Sequence, residues 1–157
     1  MNKKILVVVD MQNDFTTGCL GHEECKAAID GVKAVINEGE YDEYIFTLDT
    51  HGENYMDTME GSKLPVPHCI KGTEGHEVVA GLIDLAKEKS NNVNCFEKIT
   101  FGSTGLAEYF AKNVAGARAE EHILALMMIY SEIRKKTLDK TLIDSDDFIT
   151  DFGRRVF

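Results

Sequence analysis

An unbroken apolar run near the amino terminus constrains the fold more than any other feature of the sequence. Ile5 to Val9 read ILVVV with no polar residue between them, and Asp10 follows directly. The run predicts a strand that is buried on both faces of a parallel sheet. Because ligands of open α/β sheets collect beyond the carboxyl ends of the strands, Asp10 is a candidate catalytic residue. Aspartate is also common in turns, so a purely structural turn explains this residue equally well.

The rest of the chain repeats the pattern of strand and helix. After the first strand, the periodicity predicts a helix over 23–37, a strand over 44–48, a helix over 77–89, a strand over 93–97 and a helix over 103–113. Ser103 or Thr104 is expected to cap the last of these helices. Right-handed crossovers between successive strands then give an α/β fold with a parallel sheet and helices on both faces.

Length and charge limit the classes of function. The chain has 157 residues and 43% hydrophobic content, which suits a single domain over 1–157. Seventeen basic and twenty-seven acidic side chains give a net charge of −10, which argues against binding to nucleic acid or to an anionic membrane. No apolar stretch reaches membrane length and no export signal is found, so we expect a cytoplasmic protein with free thiols.

A long segment between the second strand and the second predicted helix carries the strongest set of polar residues. Residues 49–75 contain both prolines of the chain and the string VPHC, and the string LDTH at 48–51 leads into them. Asp49, His51 and His68 are ligand types that zinc accepts, and Glu60 is a candidate fourth ligand. Such a set with room left for water is typical of a catalytic metal site. Taken alone, the spacing also suits solvated loop residues.

Four strings occur in a fixed order: VVVDMQNDF, TLDTHGENY, EGSKLPVPHCIKGTEG and FEKITFGST. From residue 3 to about residue 112 the chain resembles the isochorismatase-like cysteine hydrolases, and nicotinamidases most of all. The resemblance implies a three-layer Rossmann-like fold and the hydrolysis of a small aromatic amide such as nicotinamide. It also implies that a divalent metal, which we expect to be Zn²⁺, is bound. The residues it implies are Asp10 and Lys98 for catalysis, Phe15 for the substrate pocket, and Asp49, His51, His68 and, as in some members, Glu60 for the metal.

The resemblance ends before the string that supplies the family's nucleophile. Family members continue with a Gly-x-Cys-Thr-Asp-x-Cys type string, whereas this sequence has no cysteine after Cys95. We therefore expect 118–157 to be an atypical tail, with the carboxyl-terminal strands incomplete or replaced; 122–130 suits either a strand or part of a helix. A frameshift near residue 120, divergence and recombination are three possible origins. We favour a disrupted reading frame or an aberrant tail, and translation of the other two frames tests the frameshift.

Cys69, beside His68, is the cysteine nearest to the predicted metal site. We expect a structural role for it, because a reactive thiol needs an electropositive setting. Three functions remain open: an impaired nicotinamidase-like amidohydrolase, a non-catalytic metal-binding or assembly relative, and an isochorismatase-type hydrolase. The metal set disfavours the third, since isochorismate-cleaving members generally lack it. An exposed edge on the first strand would favour a homo-oligomer.

Overall fold

The computed structural model describes residues 3–113 of the chain. Within that range, three strands form one parallel sheet in the order β1–β2–β3. The strands are β1 (Ile5–Val9), β2 (Glu43–Asp49) and β3 (Val93–Lys98). The helices are α1 (Asn13–Thr16), α2 (Glu23–Glu38), α3 (Met59–Lys63), α4 (Leu82–Lys89) and α5 (Thr104–Asn113), with single 3₁₀ turns at Tyr55–Asp57 and Glu74–His76.

Helices cover both faces of this sheet. On one face, alternate apolar side chains of the strands pack against the buried sides of α2 and α4 in a single core that includes Leu6, Val8, Tyr44, Phe46, Val32, Ile36, Leu82 and Ala86. On the opposite face, the ring of Tyr109 in α5 lies 5.3 Å from the ring of Phe96 in β3. The predicted three-layer α/β arrangement is therefore confirmed for the described residues.

The expectation that β1 is buried on both faces is wrong within the described part of the chain. Leu6 and Val8 are buried against the helices, whereas Ile5, Val7 and Val9 are half-buried. The reason is the position of α5, which packs against β3 at the other side of the sheet. An apolar run without alternation is therefore compatible with one face that the described helices cover only in part.

Most predicted elements are confirmed, but the predicted start of the second long helix is wrong. The pattern placed it at Glu77, whereas α4 begins at Leu82. Val79 donates a backbone hydrogen bond to the Met11 carbonyl at 2.9 Å, and Val78 pairs with Gln12, so this segment is extended. Gly81 then takes a left-handed conformation, with φ at 83°, immediately before the helix.

The cap of α5 agrees with the sequence. The Ser103 hydroxyl accepts a hydrogen bond from the Leu106 backbone N–H at 3.2 Å, which is the bond expected of an N-cap serine. The predictions made for 118–157, including the strand or helix over 122–130, lie outside the described residues. Among the described helices, none has the length and apolar character needed to cross a membrane.

Candidate metal centre and acid–base pair

The first acid of the site is placed by an unusual turn at the end of β1. Asp10 has φ at 50°, a left-handed conformation that is uncommon for a residue with a side chain. Its backbone N–H donates to the Thr47 carbonyl at 3.1 Å, and the Thr47 hydroxyl donates to Asp10 Oδ1 at 2.6 Å. The turn therefore directs the carboxylate of Asp10 over the end of β2, where it is only 1% exposed.

Lys98 joins Asp10 to the end of the middle strand. The Lys98 Nζ lies 2.8 Å from Asp10 Oδ2 and 3.4 Å from Asp49 Oδ1, and the side chain is buried. Lys98 and Asp10 meet although their strands are not neighbours, since β2 lies between β1 and β3. They meet because Lys98 pairs in register with Asp49, while the turn at Asp10 folds inward over β2.

Burial and charge act against each other on these three groups. Burial raises the pKa of Asp10, and the neighbouring Lys98 ammonium only partly offsets this rise. Burial alone would lower the pKa of Lys98, but the charges of Asp10 and Asp49 outweigh it and raise that pKa, so Lys98 stays protonated. For Asp49, burial is outweighed by the hydrogen bond with His68 and by the charge of Lys98, so its pKa is lowered.

Two imidazoles face one carboxylate oxygen of Asp49. His51 Nε2 lies 2.8 Å and His68 Nε2 lies 3.5 Å from Asp49 Oδ2. One ligand atom from each of the three buried residues lies within 4.8 Å of the other two. His68 Nδ1 lies 2.8 Å from the Val66 carbonyl, to which it donates, and its Nε2 therefore keeps a lone pair toward the cluster when the ring is neutral.

Two chain segments bring these ligands together. The first segment follows β2 and carries His51; the second carries His68 and Cys69, and we call it the return segment. The two pair through their backbones: the His51 N–H donates to the Cys69 carbonyl at 3.0 Å, and the Lys71 N–H donates to the His51 carbonyl at 2.9 Å. A carboxylate and two imidazoles are a donor set that zinc accepts, so the residues present fit a divalent metal. Glu60 lies at the border of this set, with Oε1 4.0 Å from His51 Nε2, and its role as a fourth ligand stays a prediction.

Two aromatic rings pack against the two imidazoles. The Tyr55 ring centroid lies 4.7 Å from that of His51 and 5.0 Å from that of His68, and the Tyr55 hydroxyl donates to the Leu64 carbonyl. Phe15 is buried and contacts the His68 ring edge-on at 5.4 Å. Phe15 therefore borders the site, and its part in lining a substrate pocket stays a prediction.

The sequence interpretation missed three residues that shape this site. Gln12 bonds the backbone of Asp49, Thr47 bonds Asp10, and Tyr55 packs against both imidazoles. A signal for Thr47 was available, because residues two apart on a strand share a face and Thr47 precedes Asp49 by two. Gln12 lies within the string that was already singled out, but only the fold shows which backbone groups it reaches.

Cys19, Cys69 and Cys95 lie in settings that disfavour the thiolate, whereas the Cys25 Sγ lies 3.0 Å from His22 Nε2. Burial raises the pKa of Cys69 far above its ordinary value, and the nearby charges of Asp49 and Asp14 raise it further. Burial likewise raises the pKa of Cys19 to about 11 and that of Cys95 to a lesser extent, while Cys25 is packed in the core. A thiolate is the reactive form, so these settings favour unreactive thiols.

The sequence model of the isochorismatase domain matches residues 4–121 of this chain. The chain belongs to the isochorismatase family. An isochorismatase family protein of Bacillus subtilis, PncA, is 31% identical over 101 residues, in an alignment that covers 60% of this chain and 54% of that protein. The crystal structure of nicotinamidase PncA from Bacillus subtilis is 30% identical, with a TM-score of 0.55 over 70% of this chain and 65% of that one.

A further similar structure bears on the metal. A pyrazinamidase of Pyrococcus horikoshii, solved in complex with zinc, is 26% identical, with a TM-score of 0.50 over 71% of this chain and 65% of that one. The fold and the similarity to nicotinamidases that the sequence predicted are therefore confirmed. The chain spans about half the length of the curated relative that it matches.

Proposed function

We propose that this chain is a nicotinamidase-like amidohydrolase that binds zinc and acts on a small aromatic amide such as nicotinamide, with hydrolysis impaired by the loss of the family's cysteine. One observation carries the proposal: the Lys98 ammonium contacts both Asp10 and Asp49. This contact joins a buried acid–base pair to a set of three candidate metal ligands in one cluster of side chains. The similarity to nicotinamidases supports the substrate class.

In this proposal Asp10 is the proton acceptor. Its Oδ1 is held by the Thr47 hydroxyl and its Oδ2 by the Lys98 ammonium, so the carboxylate has a fixed position before any substrate enters. The Lys98 ammonium favours the ionised form of Asp10 against the effect of burial, and it offers a positive charge to negative charge that develops on the substrate. These are roles for the side chains alone.

The metal would be held by Asp49, His51 and His68, with Glu60 as a candidate fourth ligand. A bound zinc ion supplies a positive charge that orients a ring nitrogen of the substrate or polarises a water. The zinc complex of the Pyrococcus horikoshii relative supports the choice of ion. The chemistry of the donor set supports it independently.

The missing nucleophile favours a second candidate, a non-catalytic relative that keeps the metal site for binding or assembly. The sequence has no cysteine after Cys95. The settings of the described cysteines raise rather than lower the thiol pKa wherever a shift is resolved. Such a protein would bind zinc and an amide without turning the amide over.

One assay separates the two candidates. The full chain is loaded with zinc, and ammonia release from nicotinamide is followed beside the matched variants Asp10→Asn and Lys33→Met, the second an exchange in α2 away from the site. Slow release that Asp10→Asn abolishes and Lys33→Met leaves unchanged supports the impaired hydrolase. Zinc binding without ammonia release supports the non-catalytic relative. A chain that neither binds zinc nor releases ammonia contradicts both.

We also propose a cytoplasmic homo-oligomer. Among the described strands, β1 pairs on one side with β2, and its other edge offers backbone groups that a second copy would satisfy. Light scattering of the purified full chain tests this directly. A monodisperse monomer would contradict it.

A further inference from the structure

The turn that follows β1 touches both chain segments that carry the metal ligands. We call residues 12–14, with the sequence Gln-Asn-Asp, the QND turn; Gln12 is the N-cap of the single-turn helix α1, and Asn13 and Asp14 are its first two residues. Gln12 is fully buried, and its side chain binds backbone rather than side chains: Oε1 accepts from the Asp49 N–H at 2.7 Å, and Nε2 donates to the Asp49 carbonyl at 2.9 Å. The same Nε2 donates to the His76 carbonyl at 2.8 Å. Gln12 therefore fixes the backbone of the first ligand on both sides.

Asp14 makes the corresponding contact with the second segment. Its Oδ2 accepts a hydrogen bond at 2.7 Å from the backbone N–H of Cys69, the residue next to His68. Cys69 has φ at 46°, a conformation that costs free energy for a residue with a side chain and needs support from its surroundings. The bond from Asp14 supplies that support where the chain turns at His68.

The Asp14 carboxylate packs closely against Gly75. A Cβ added at Gly75 would lie 2.1 Å from Asp14 Oδ2, so the absence of a side chain at Gly75 lets the carboxylate reach the return segment. The middle residue of the turn differs from its neighbours. The Asn13 side chain donates to the Glu74 carbonyl at 2.8 Å in an exposed setting, away from the three ligands.

We infer that Gln12 and Asp14 are positioning residues for the metal centre, which hold the segments of Asp49 and His68 at the separation that one ion requires. The inference rests on the proposed function, because it concerns the same metal site. Its physical basis is preorganisation: segments already fixed by hydrogen bonds lose less freedom when the ion binds. Partners that orient metal ligands typically contribute 10-fold to 100-fold, that is about 1.4 to 2.7 kcal/mol, to metal affinity.

The test measures zinc affinity and the visible spectrum of the Co²⁺ form, using the full chain. Gln12→Met keeps the length of the side chain but removes its hydrogen bonds, and Asp14→Ala removes the acceptor for Cys69. Each should weaken zinc binding by about 10-fold to 100-fold in a competition titration and change the Co²⁺ absorption bands. Asp14→Asn keeps an acceptor oxygen and should restore most of the affinity. Asn13→Ala, from the same turn, should leave both readouts unchanged.

Circular dichroism establishes which variants are folded, and the two segments provide independent variants if one of them unfolds. Folded Gln12→Met and Asp14→Ala with zinc affinity and Co²⁺ spectra like those of the unaltered protein would overturn the inference. An equal loss in Asn13→Ala would also overturn it, because the effect would then be a general property of the turn. If the unaltered protein binds no zinc, the proposed metal centre itself is wrong, which is a different result from unaffected variants.

Discussion

The two ends of the same sheet hold their buried acids with different sets of partners. We call the end at which the strands begin the amino edge, and the end at which they finish the carboxyl edge. At the amino edge, the fully buried carboxylate of Glu43 is contacted by Lys3 Nζ at 2.5 Å, Asn94 Nδ2 at 2.7 Å and the Tyr109 hydroxyl at 2.5 Å. At the carboxyl edge, Asp10 and Asp49 share the single ammonium of Lys98, and two imidazoles also face Asp49.

The pKa shifts show what this difference means. Burial alone would raise the pKa of Glu43, but the hydrogen bonds from Lys3, Tyr109 and Asn94 outweigh it and lower that pKa. At the carboxyl edge the pKa of Asp10 is raised, because burial outweighs the attraction of Lys98, whereas the pKa of Asp49 is lowered. The amino edge is therefore electrostatically satisfied and ties α5 to the sheet. The carboxyl edge keeps acceptor oxygens and ring nitrogens available for a cation or a proton, which is the property of a functional site.

The largest expected loss of stability follows from removing the shared cation. Lys98→Met leaves two buried carboxylates without their counter-ion and should lower the free energy of unfolding of the metal-free protein by about 3–5 kcal/mol. Urea unfolding followed by circular dichroism measures it. The double variant Lys98→Met with Asp10→Asn should recover part of the loss, because one of the uncompensated charges is gone. A loss under about 1 kcal/mol would mean that the carboxyl edge is not held together by this ion pair.

The next prediction concerns zinc binding at the carboxyl edge. His68→Ala removes a ligand and should weaken zinc binding by more than about 100-fold, which exceeds the usual effect of removing an outer partner. Calorimetric titration measures it. His22→Ala is the matched control, because His22 is a partly exposed imidazole beside Glu24 outside the cluster. Equal zinc affinity in both variants would remove His68 from the ligand set.

A smaller effect is expected at the amino edge. Glu43→Gln keeps the shape but removes the charge, and should cost about 1–2 kcal/mol near neutral pH. Because the folded protein lowers the pKa of Glu43 below its ordinary value of 4.5, this stabilisation is present above that pH and is lost as the pH falls through the folded value.

The difference in unfolding free energy between the unaltered protein and Glu43→Gln should therefore shrink as urea titrations are repeated from neutral to acidic pH. Asp42→Asn is a nearby control, since Asp42 accepts the Lys4 N–H in an exposed setting. If the difference in unfolding free energy stays constant across the acid range, the charge of Glu43 does not contribute to the stability of the amino edge.

The smallest effect on stability is expected for an exposed ion pair. Lys71 Nζ lies 2.5 Å from Glu97 Oε2, but the two side chains are 64% and 46% exposed. Water screens such a pair, so Lys71→Ala should change the free energy of unfolding by less than about 1 kcal/mol. The same urea titration measures it. A change as large as that of Lys98→Met would show that burial is not what separates the strong pairs from the weak ones.

The two edges also differ in how far the sequence predicts them. The run ILVVV predicts the first strand, because unbroken apolar residues have to be buried, and Asp10 marks the end of that strand. Asp49, His51 and His68 are identified by type and by resemblance. The amino-edge cluster gives no such signal, since Lys3, Glu43 and Tyr109 are far apart in sequence and meet only through the strand register.

The structure departs from the sequence-based expectation where tertiary contacts override local preference. The start of α4 was misplaced because apolar residues at 78 and 79 fit a helical period, while pairing with the chain after β1 makes them extended. The strands of Asp10 and Lys98 are not neighbours, yet a left-handed residue at the end of β1 brings the two side chains together. Periodicity reports local preference, and it contains no information on tertiary pairing or on a single strained turn.

The most direct test of the metal centre is a crystal of the zinc-loaded full chain measured at the zinc absorption edge. We predict one anomalous peak in contact with Asp49, His51 and His68, beside Lys98 and Asp10. A crystal that contains zinc but shows its anomalous peak elsewhere, or shows none between these three side chains, would contradict it.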